Sequence, residues 1–217
     1  MRKETKKYFF TVEGETEKWY FEWLQRTINS TSTALYTVKF DCHIQKDPSK
    51  RVKGLITLDK TEITHVVDRE SEEEIHIQQF EIVLGRMKSA EKIGKSIKYS
   101  LGYSNFAFEL WIVLHKADCN GSLVHLRQYL PLLNRAYAEK FENLNQYKHE
   151  DNFKRILGKL TLDDVGQAVR RSKTIMQINQ ENGYVLRQYK GYKYYIENPS
   201  LTIWEIIERI IMECGLL

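Results

Sequence analysis

Apolar runs with the length of short strands alternate with amphipathic, helix-like segments over the first hundred residues of this chain. Strands that are buried on both faces read as short, nearly continuous apolar runs, while surface helices repeat their apolar residues every 3.6 positions. The alternation predicts an α/β fold with a mostly parallel sheet flanked by helices. The predicted strands cover 7–12, 35–40, 63–67 and 95–101, and the predicted helices cover 16–29, 52–58 and 72–92.

The pattern changes near residue 104, and helical periodicity continues from there to the end of the chain. Gly102 is expected to close the fourth strand, and Ser200 or Thr202 is expected to cap the last helix. We therefore expect an α/β core over 1–103 and a helical C-terminal extension over 104–217, packed on that core. The predicted helices of the second part cover 106–115, 123–141, 151–160, 161–179 and 201–214.

Composition and charge exclude several classes of protein. The three cysteines, Cys42, Cys119 and Cys214, are far apart and form no CxxC pair, which argues against a zinc site or a disulfide framework. The net charge of +4 permits contact with a polyanion without requiring it. The most apolar stretch, 106–114, contains Glu109 and has about half the length of a membrane span. We expect a soluble, cytoplasmic protein.

Acidic residues follow two of the predicted strands. Glu13 and Glu17 flank the turn after the first strand, and Asp68 and Glu70 follow the third strand. Ligand sites of open α/β sheets lie at the carboxyl ends of the strands. In a strand-like continuation, positions 68 and 70 point to the same side. These acids could instead complement helix N-termini, and the combination of both pairs is what favours a divalent metal site.

A third polar group follows the fourth predicted strand. Ser104 and Asn105 have the residue types that cap helices. Glu109 follows in an apolar helix, where a carboxylate needs a partner. We expect it either to reach the metal site or to form an internal hydrogen bond.

These motifs resemble a known family. The segment 12–17, followed by Tyr20 and Phe21, is similar to the opening motif of Toprim domains in bacterial defence proteins. Residues 68–70 resemble their later acidic motif, which is Asp-x-Asp in most members. The segment 104–111 with His115 resembles the signature of the RloB/AbiLii-like family, and Tyr147-Lys148 and 198–202 resemble further elements of it. The resemblance covers nearly the whole chain.

The resemblance implies a Toprim-like (Rossmann-like) fold and a nuclease that depends on Mg²⁺ or Mn²⁺. Glu13 would be the catalytic acid, and the metal ligands would be Glu13, Glu17, Asp68 and Glu70. The reaction would be in-line attack of water on a phosphodiester, with the metal ion offsetting the developing charge. The residues that would support the ligands or contact the substrate are Ser104, Asn105, Glu109 and Lys148.

The resemblance also implies a biological setting, which is antiviral defence or abortive infection. The partners would be nucleic acid, either DNA or RNA, and a separate ABC-type ATPase, because this sequence contains no P-loop GxxxxGK[ST] motif. No membrane partner is expected, and the sequence leaves open whether the protein forms an oligomer. The alternative is a catalytically idle module that binds nucleic acid, a phosphorylated small ligand or the ATPase.

Two departures from the family pattern bear on these expectations. Glu70 stands where most members have aspartate, and Phe106-Ala107 replaces the more usual Pro-Cys. Glutamate still ligates Mg²⁺, so the first change weakens rather than excludes activity.

Basic and aromatic residues in the second half suggest a polyanion surface, because phosphate contacts and base stacking use these residue types. A solvated helix face with a tyrosine-rich strand or hairpin explains the same residues. They are Lys148, Lys154, Arg155, Lys159, Arg170, Arg171 and Lys173, followed by the segment 187–195.

Overall fold

The computed structural model describes residues 3–57, 59–119, 121 and 123–216. Strands and helices alternate over the first part, as the sequence predicts. They are β1 (Thr5–Val12), α1 (Glu15–Ser30), β2 (Thr37–Ile44), α2 (Pro48–Gly54), β3 (Thr61–Asp68), α3 (Glu74–Ala90) and β4 (Ile97–Asn105).

The second part consists mainly of helices. They are α4 (Glu109–Lys116), a 3-10 turn (Leu126–Gln128), α5 (Tyr129–Tyr137), α6 (Leu144–Lys148), α7 (Glu150–Leu157) and α8 (Leu162–Glu181). A hairpin of β5 (Arg187–Tyr189) and β6 (Tyr192–Tyr194) follows, and then β7 (Ser200–Leu201) and α9 (Ile203–Glu213).

Five of these strands form one sheet in the order β2-β1-β3-β4-β7. The first four are parallel, and β7 pairs antiparallel with the last two residues of β4. This confirms the predicted α/β class with a mostly parallel sheet and a helical C-terminal half.

Helices cover both faces of the sheet, which is why its strands are apolar on both sides. Neighbouring residues of one strand belong to opposite cores, as the two-residue period of a strand requires. Val66 of β3 packs with α1, α4, α8 and α9, and Val67 packs with α2 and α3. The first of these two cores contains residues from both sides of residue 104, and the division into 1–103 and 104–217 stays a prediction.

Several of the predicted element boundaries are wrong. β4 does not end at Gly102 but continues to Asn105, because its ladder with β3 is unbroken up to Ser104. A Cβ at Gly102 would lie 3.2 Å from the Thr64 Cγ2 atom, so the glycine is needed for close packing rather than for a turn. The long helix predicted over 123–141 begins as a 3-10 turn and ends at Tyr137, where Ala138 has a φ of 53°.

The last helix also begins later than predicted, because 200–201 form β7. Thr202 occupies the position before α9 without capping it. Its hydroxyl instead donates to the Leu101 carbonyl (3.0 Å) and accepts from the Tyr103 N–H (3.2 Å). Within the described residues, no helix is long and apolar enough to cross a membrane.

Candidate functional site

The carboxyl ends of β1, β3 and β4 lie side by side at one edge of the sheet, and the predicted site residues follow these ends. Glu13 comes directly after β1, Asp68 is the last residue of β3, and Ser104 pairs with Asp68 in register on β4. Sheet order thus brings together residues that are far apart in the chain. The backbone N–H of Asp68 donates to the Glu13 Oε2 atom over 3.1 Å, which links the first two ends directly.

Glu13 lies in a setting that favours its protonated form. Burial raises its pKa, and the charges of Glu17 and Glu70 raise it further, against the Asp68 N–H and the charge of Lys46. A carboxyl with a raised pKa is a stronger base near neutral pH than an ordinary glutamate.

Glu17 lies in the first turn of α1, where its carboxylate folds back towards the helix start. The side chain is 5% exposed, and its Oε2 accepts from the Thr16 hydroxyl over 3.0 Å. Gly14 leaves room for it, since a Cβ there would lie 3.1 Å from Oε2. Burial raises the pKa of Glu17 and the charge of Glu109 adds to this, while the local hydrogen bonds and Lys148 oppose it. Glu17 therefore places negative charge at the N-terminus of α1, and its pKa also responds to the charge of Glu109.

Asp68 is the most strongly perturbed of these acids. Burial raises its pKa well above the ordinary value, and the charges of Glu17, Glu109 and Glu13 add to this effect. Lys148 is the cation that opposes it. The Asp68 carboxylate accepts no hydrogen bond from any residue that the structure describes.

Glu109 and Lys148 bring the helical half into the site. Lys148, the last residue of α6, places its Nζ atom 2.9 Å from the Glu109 Oε1 atom at the start of α4. The other carboxylate oxygen, Oε2, is buried without a hydrogen-bond partner among the described residues. Burial lowers the pKa of Lys148, but the charges of Glu109, Asp68 and Glu17 outweigh burial and leave that pKa raised. We call Glu13, Glu17, Asp68 and Glu109 the acidic cluster.

Glu70 lies apart from the acidic cluster. The strand-like continuation predicted through residue 70 is wrong, because β3 ends at Asp68. The Glu70 side chain is 66% exposed, and its Oε2 atom lies 3.4 Å from the His76 Nε2 atom. A role for Glu70 as a metal ligand stays a prediction.

The residues of the acidic cluster are of the ligand type that a hard divalent cation prefers. Carboxylate oxygens are the ligands that Mg²⁺ prefers, and the unpartnered Glu109 Oε2 offers one more of them. Across the described ranges of the chain, no three His, Cys, Asp or Glu side chains form a group that could hold a metal ion as they stand.

Ser104 and Asn105 do not cap α4 as predicted, because both belong to β4 and Phe108 precedes the helix. The Asn105 amide donates to the Ile196 and Glu197 carbonyls over 2.8 and 2.9 Å. It thereby anchors the segment that leads into β7. The Ser104 hydroxyl is buried and has no hydrogen-bond partner in the described part of the chain.

Sequence reasoning missed the role of Arg69, which lies between Asp68 and Glu70 of the predicted metal site. The side chain is fully buried, and its Nη2 donates to the Asn105 Oδ1 atom over 3.0 Å and also to the Ile196 carbonyl. Arg69 therefore holds the chain after the hairpin against the carboxyl edge. The sequence does not indicate that Arg69 is buried, because runs of charged residues such as 68–70 are usually exposed.

A cavity of about 570 Å³ is joined to the acidic cluster through Lys148. Lys148 lines it together with His125, Arg127, Leu130 and Asn145. Lys148 is 39% exposed and thus contacts the acids while remaining accessible. The cavity has the size of a small-molecule or nucleotide site.

Comparison with known proteins assigns the chain to a family. Residues 8–210 match the family described as RloB-like protein, which is nearly the whole chain. Comparisons with curated proteins and with solved structures find no match. The match includes the strand ends, the acidic cluster and Lys148, and the chain belongs to the RloB-like protein family.

Proposed function

We propose that this protein is a Toprim-type nuclease that hydrolyses phosphodiester bonds of DNA or RNA with Mg²⁺ or Mn²⁺. One observation carries the proposal, namely that four buried or partly buried acids gather at the carboxyl edge of three parallel strands. Burial raises the pKa of Asp68, Glu17 and Glu13, and the charges of neighbouring carboxylates raise it further. In its ionised form, such an arrangement is unfavourable unless a cation binds to it.

Glu13, Glu17 and Asp68 would hold the metal ion, with Glu109 behind them. When bound, the ion would supply positive charge against the charge that develops on the attacked phosphate. Glu70 would join only by leaving His76, from which its carboxylate is 3.4 Å away.

Glu13 would take the proton of the attacking water. Its Oε2 is held by the Asp68 N–H over 3.1 Å, and its Oε1 accepts no hydrogen bond from the described residues. The raised pKa of Glu13 suits a proton acceptor, because base strength rises with pKa. Lys148 would donate to a phosphate oxygen, since it reaches both the acidic cluster and the adjoining cavity.

The setting of this activity would be antiviral defence in bacteria, and its support is the order of the motifs together with membership of the RloB-like family. ATP hydrolysis would require a separate ABC-type ATPase, because the sequence has no P-loop. A catalytically idle binding module is the second candidate, and the contact of Glu70 with His76 favours it.

Cleavage assays test the proposal. Purified protein, with and without the genomically adjacent ATPase, is incubated with tRNA, single strands and duplexes in Mg²⁺, Mn²⁺ or EDTA. We expect metal-dependent cleavage that falls by roughly 100-fold or more in Glu13→Gln and Asp68→Asn. Glu15→Gln is the matched control, because Glu15 is an exposed acid of the same helical turn, and it should cleave within about twofold of wild type.

Metal binding gives a readout that does not need turnover. Titration calorimetry with Mn²⁺ should show binding to wild type and to Glu15→Gln, and weaker binding to Asp68→Asn. Absence of Mn²⁺ binding together with absence of cleavage would rule out the nuclease and leave the binding module. Cleavage by Glu13→Gln at the wild-type rate would remove Glu13 from its catalytic role.

A further inference from the structure

The basic residues of the helical half do not form one open surface. Five of the predicted cations are held in ion pairs with neighbouring acids. These are Lys154 with Glu150, Arg155 and Lys159 with Glu139, Arg171 with Asp118, and Lys173 with Glu208. Paired surface cations contribute little free charge to a ligand. The tyrosine-rich segment does form the hairpin that the alternative interpretation expects, and this hairpin borders a groove.

The groove has a volume of about 690 Å³ and runs along the outer edge of β4. Residues 98–101 of β4 lie along it, and the end of α3, α8, the β5–β6 hairpin and the start of α9 also line it. Five lysines line it, namely Lys88, Lys98, Lys173, Lys190 and Lys193.

Three of these lysines carry free charge into the groove. Lys98, Lys190 and Lys193 are exposed and have no acid within 4.0 Å in the described part of the chain. Glu91 is paired with Lys88 at 2.6 Å, so Glu205 is the acid of the lining that stands against them. The groove is therefore positively charged.

The edge of β4 is not open to an added peptide strand, which would be the other use of a groove at a sheet edge. Strand addition needs free backbone groups, and side chains already occupy several of them. Glu91 accepts from the Tyr99 N–H over 2.9 Å. Thr202 bonds the Leu101 carbonyl with its hydroxyl and the Tyr103 carbonyl with its N–H (2.9 Å). The lysines, rather than the backbone, are what the groove offers to a ligand.

We propose that this groove binds a single-stranded nucleic acid. Lys98, Lys190 and Lys193 would contact successive phosphates, and the partly exposed rings of Tyr192 and Trp204 in the lining would stack on unpaired bases. Leu101 lies three residues before Ser104, which is about 10 Å of extended chain. The groove therefore shares β4 with the carboxyl edge that carries the acidic cluster, and β7 covers the outer side of β4 from Ser104 onwards. Binding here does not depend on cleavage there.

Fluorescence anisotropy in EDTA tests the proposal, because no metal-dependent cleavage takes place under these conditions. The probes are labelled single-stranded RNA and DNA of about 12 nucleotides, within the usual site size for such grooves, and a duplex of the same sequence. The test variant is Lys98→Gln/Lys190→Gln/Lys193→Gln. The matched control is Lys39→Gln/Lys53→Gln/Lys140→Gln, which removes the same charge from three exposed lysines outside the groove.

We expect the wild type to bind single strands more tightly than the duplex. Loss of three phosphate contacts should lower the slope of log K against log salt by about 2 and weaken binding by roughly 100-fold at about 0.1 M salt. The control variant should stay within about threefold of wild type. The proposal is overturned if the wild type binds no single strand, or if both triple variants bind equally weakly. It is also overturned if poly-glutamate displaces the labelled strand as well as an unlabelled single strand does. A failed cleavage assay would leave this result intact.

Discussion

Replacement of Lys148 by methionine tests whether the acidic cluster is as strained as its burial implies. The Lys148 Nζ atom lies 2.9 Å from the Glu109 Oε1 atom, and Glu109 is 2% exposed. At an effective dielectric constant of about 20, this attraction amounts to about 6 kcal/mol. Solvent screens part of it, because Lys148 is 39% exposed, and burial of the lysine itself has a cost that the substitution removes. We expect a net loss of about 2–3 kcal/mol in the free energy of unfolding at pH 8.

The loss should depend on pH in a definite direction. Lys148 lowers the pKa of Asp68 and Glu17 in the folded protein, so its removal raises both further. A raised carboxyl pKa favours the folded state below the unfolded value, and this advantage is lost as pH rises through the folded value. The penalty of Lys148→Met should therefore be largest at pH 8 and smaller at pH 5.

Urea unfolding in EDTA measures both effects, and a double-mutant cycle isolates the pair. Glu109→Gln removes the charge that Lys148 neutralises, so Glu109→Gln/Lys148→Met should recover most of the stability lost in the single variant. The reasoning is refuted if Lys148→Met unfolds at the wild-type urea concentration at pH 8. It is also refuted if the penalty is the same at pH 5, or if the double variant is no more stable than Lys148→Met.

Three further predictions concern single positions. Asp68→Asn should unfold at higher urea than wild type at pH 8 and at equal urea near pH 4, because it removes the carboxyl whose pKa is raised well above its ordinary value; an unchanged midpoint at pH 8 would contradict this. Gly14→Ala should cost less than about 1 kcal/mol, since its φ of −146° is extended, yet impair Mn²⁺ binding by displacing Glu17; calorimetry and thermal melts separate the two. Burial lowers the pKa of His65 and His115 to about 4. Each histidine therefore lowers the free energy of unfolding by about 3 kcal/mol as pH falls from 6.5 to 4. In His115→Gln, the free energy of unfolding should fall less over this pH range.

The sequence predicts the fold well because one physical pattern determines it. Four apolar runs alternate with amphipathic helices, and a parallel sheet with helices on both faces is the arrangement that buries them all. The errors lie where side chains override local signals. Gly102 does not end β4, because it permits close packing against Thr64. Ser104 and Asn105 have the composition of helix caps but complete a strand, because Arg69 and the 196–197 carbonyls engage the Asn105 side chain.

In the candidate site too, local patterns are predictable from the sequence, and contacts between distant residues are not. The strand ends place Glu13 and Asp68 together, as strand order in a parallel sheet dictates, and this part is readable from the sequence. The pairing of Glu109 with Lys148 joins positions 39 residues apart, and spacing alone does not predict it. For Glu70, the local pattern misleads. Asp68 and Glu70 would point to the same side only in a strand, and β3 ends at Asp68, two residues before Glu70.

Both halves of the chain are therefore needed to assemble one site. The α/β part supplies Glu13, Glu17 and Asp68; the charge of Glu17 raises the pKa of the other two, and the charge of Glu13 raises that of Asp68. The helical part supplies Glu109, which adds negative charge, and Lys148, which partly offsets it. Four buried or partly buried acids with Lys148 and Lys46 as the cations that oppose them carry excess negative charge when ionised, and a divalent cation would gain from binding to it. The same helical half also closes the sheet with β7 and lines the groove beside β4. A nuclease that worked in this way would bind the metal mainly through its first half, and both halves would guide the nucleic acid strand.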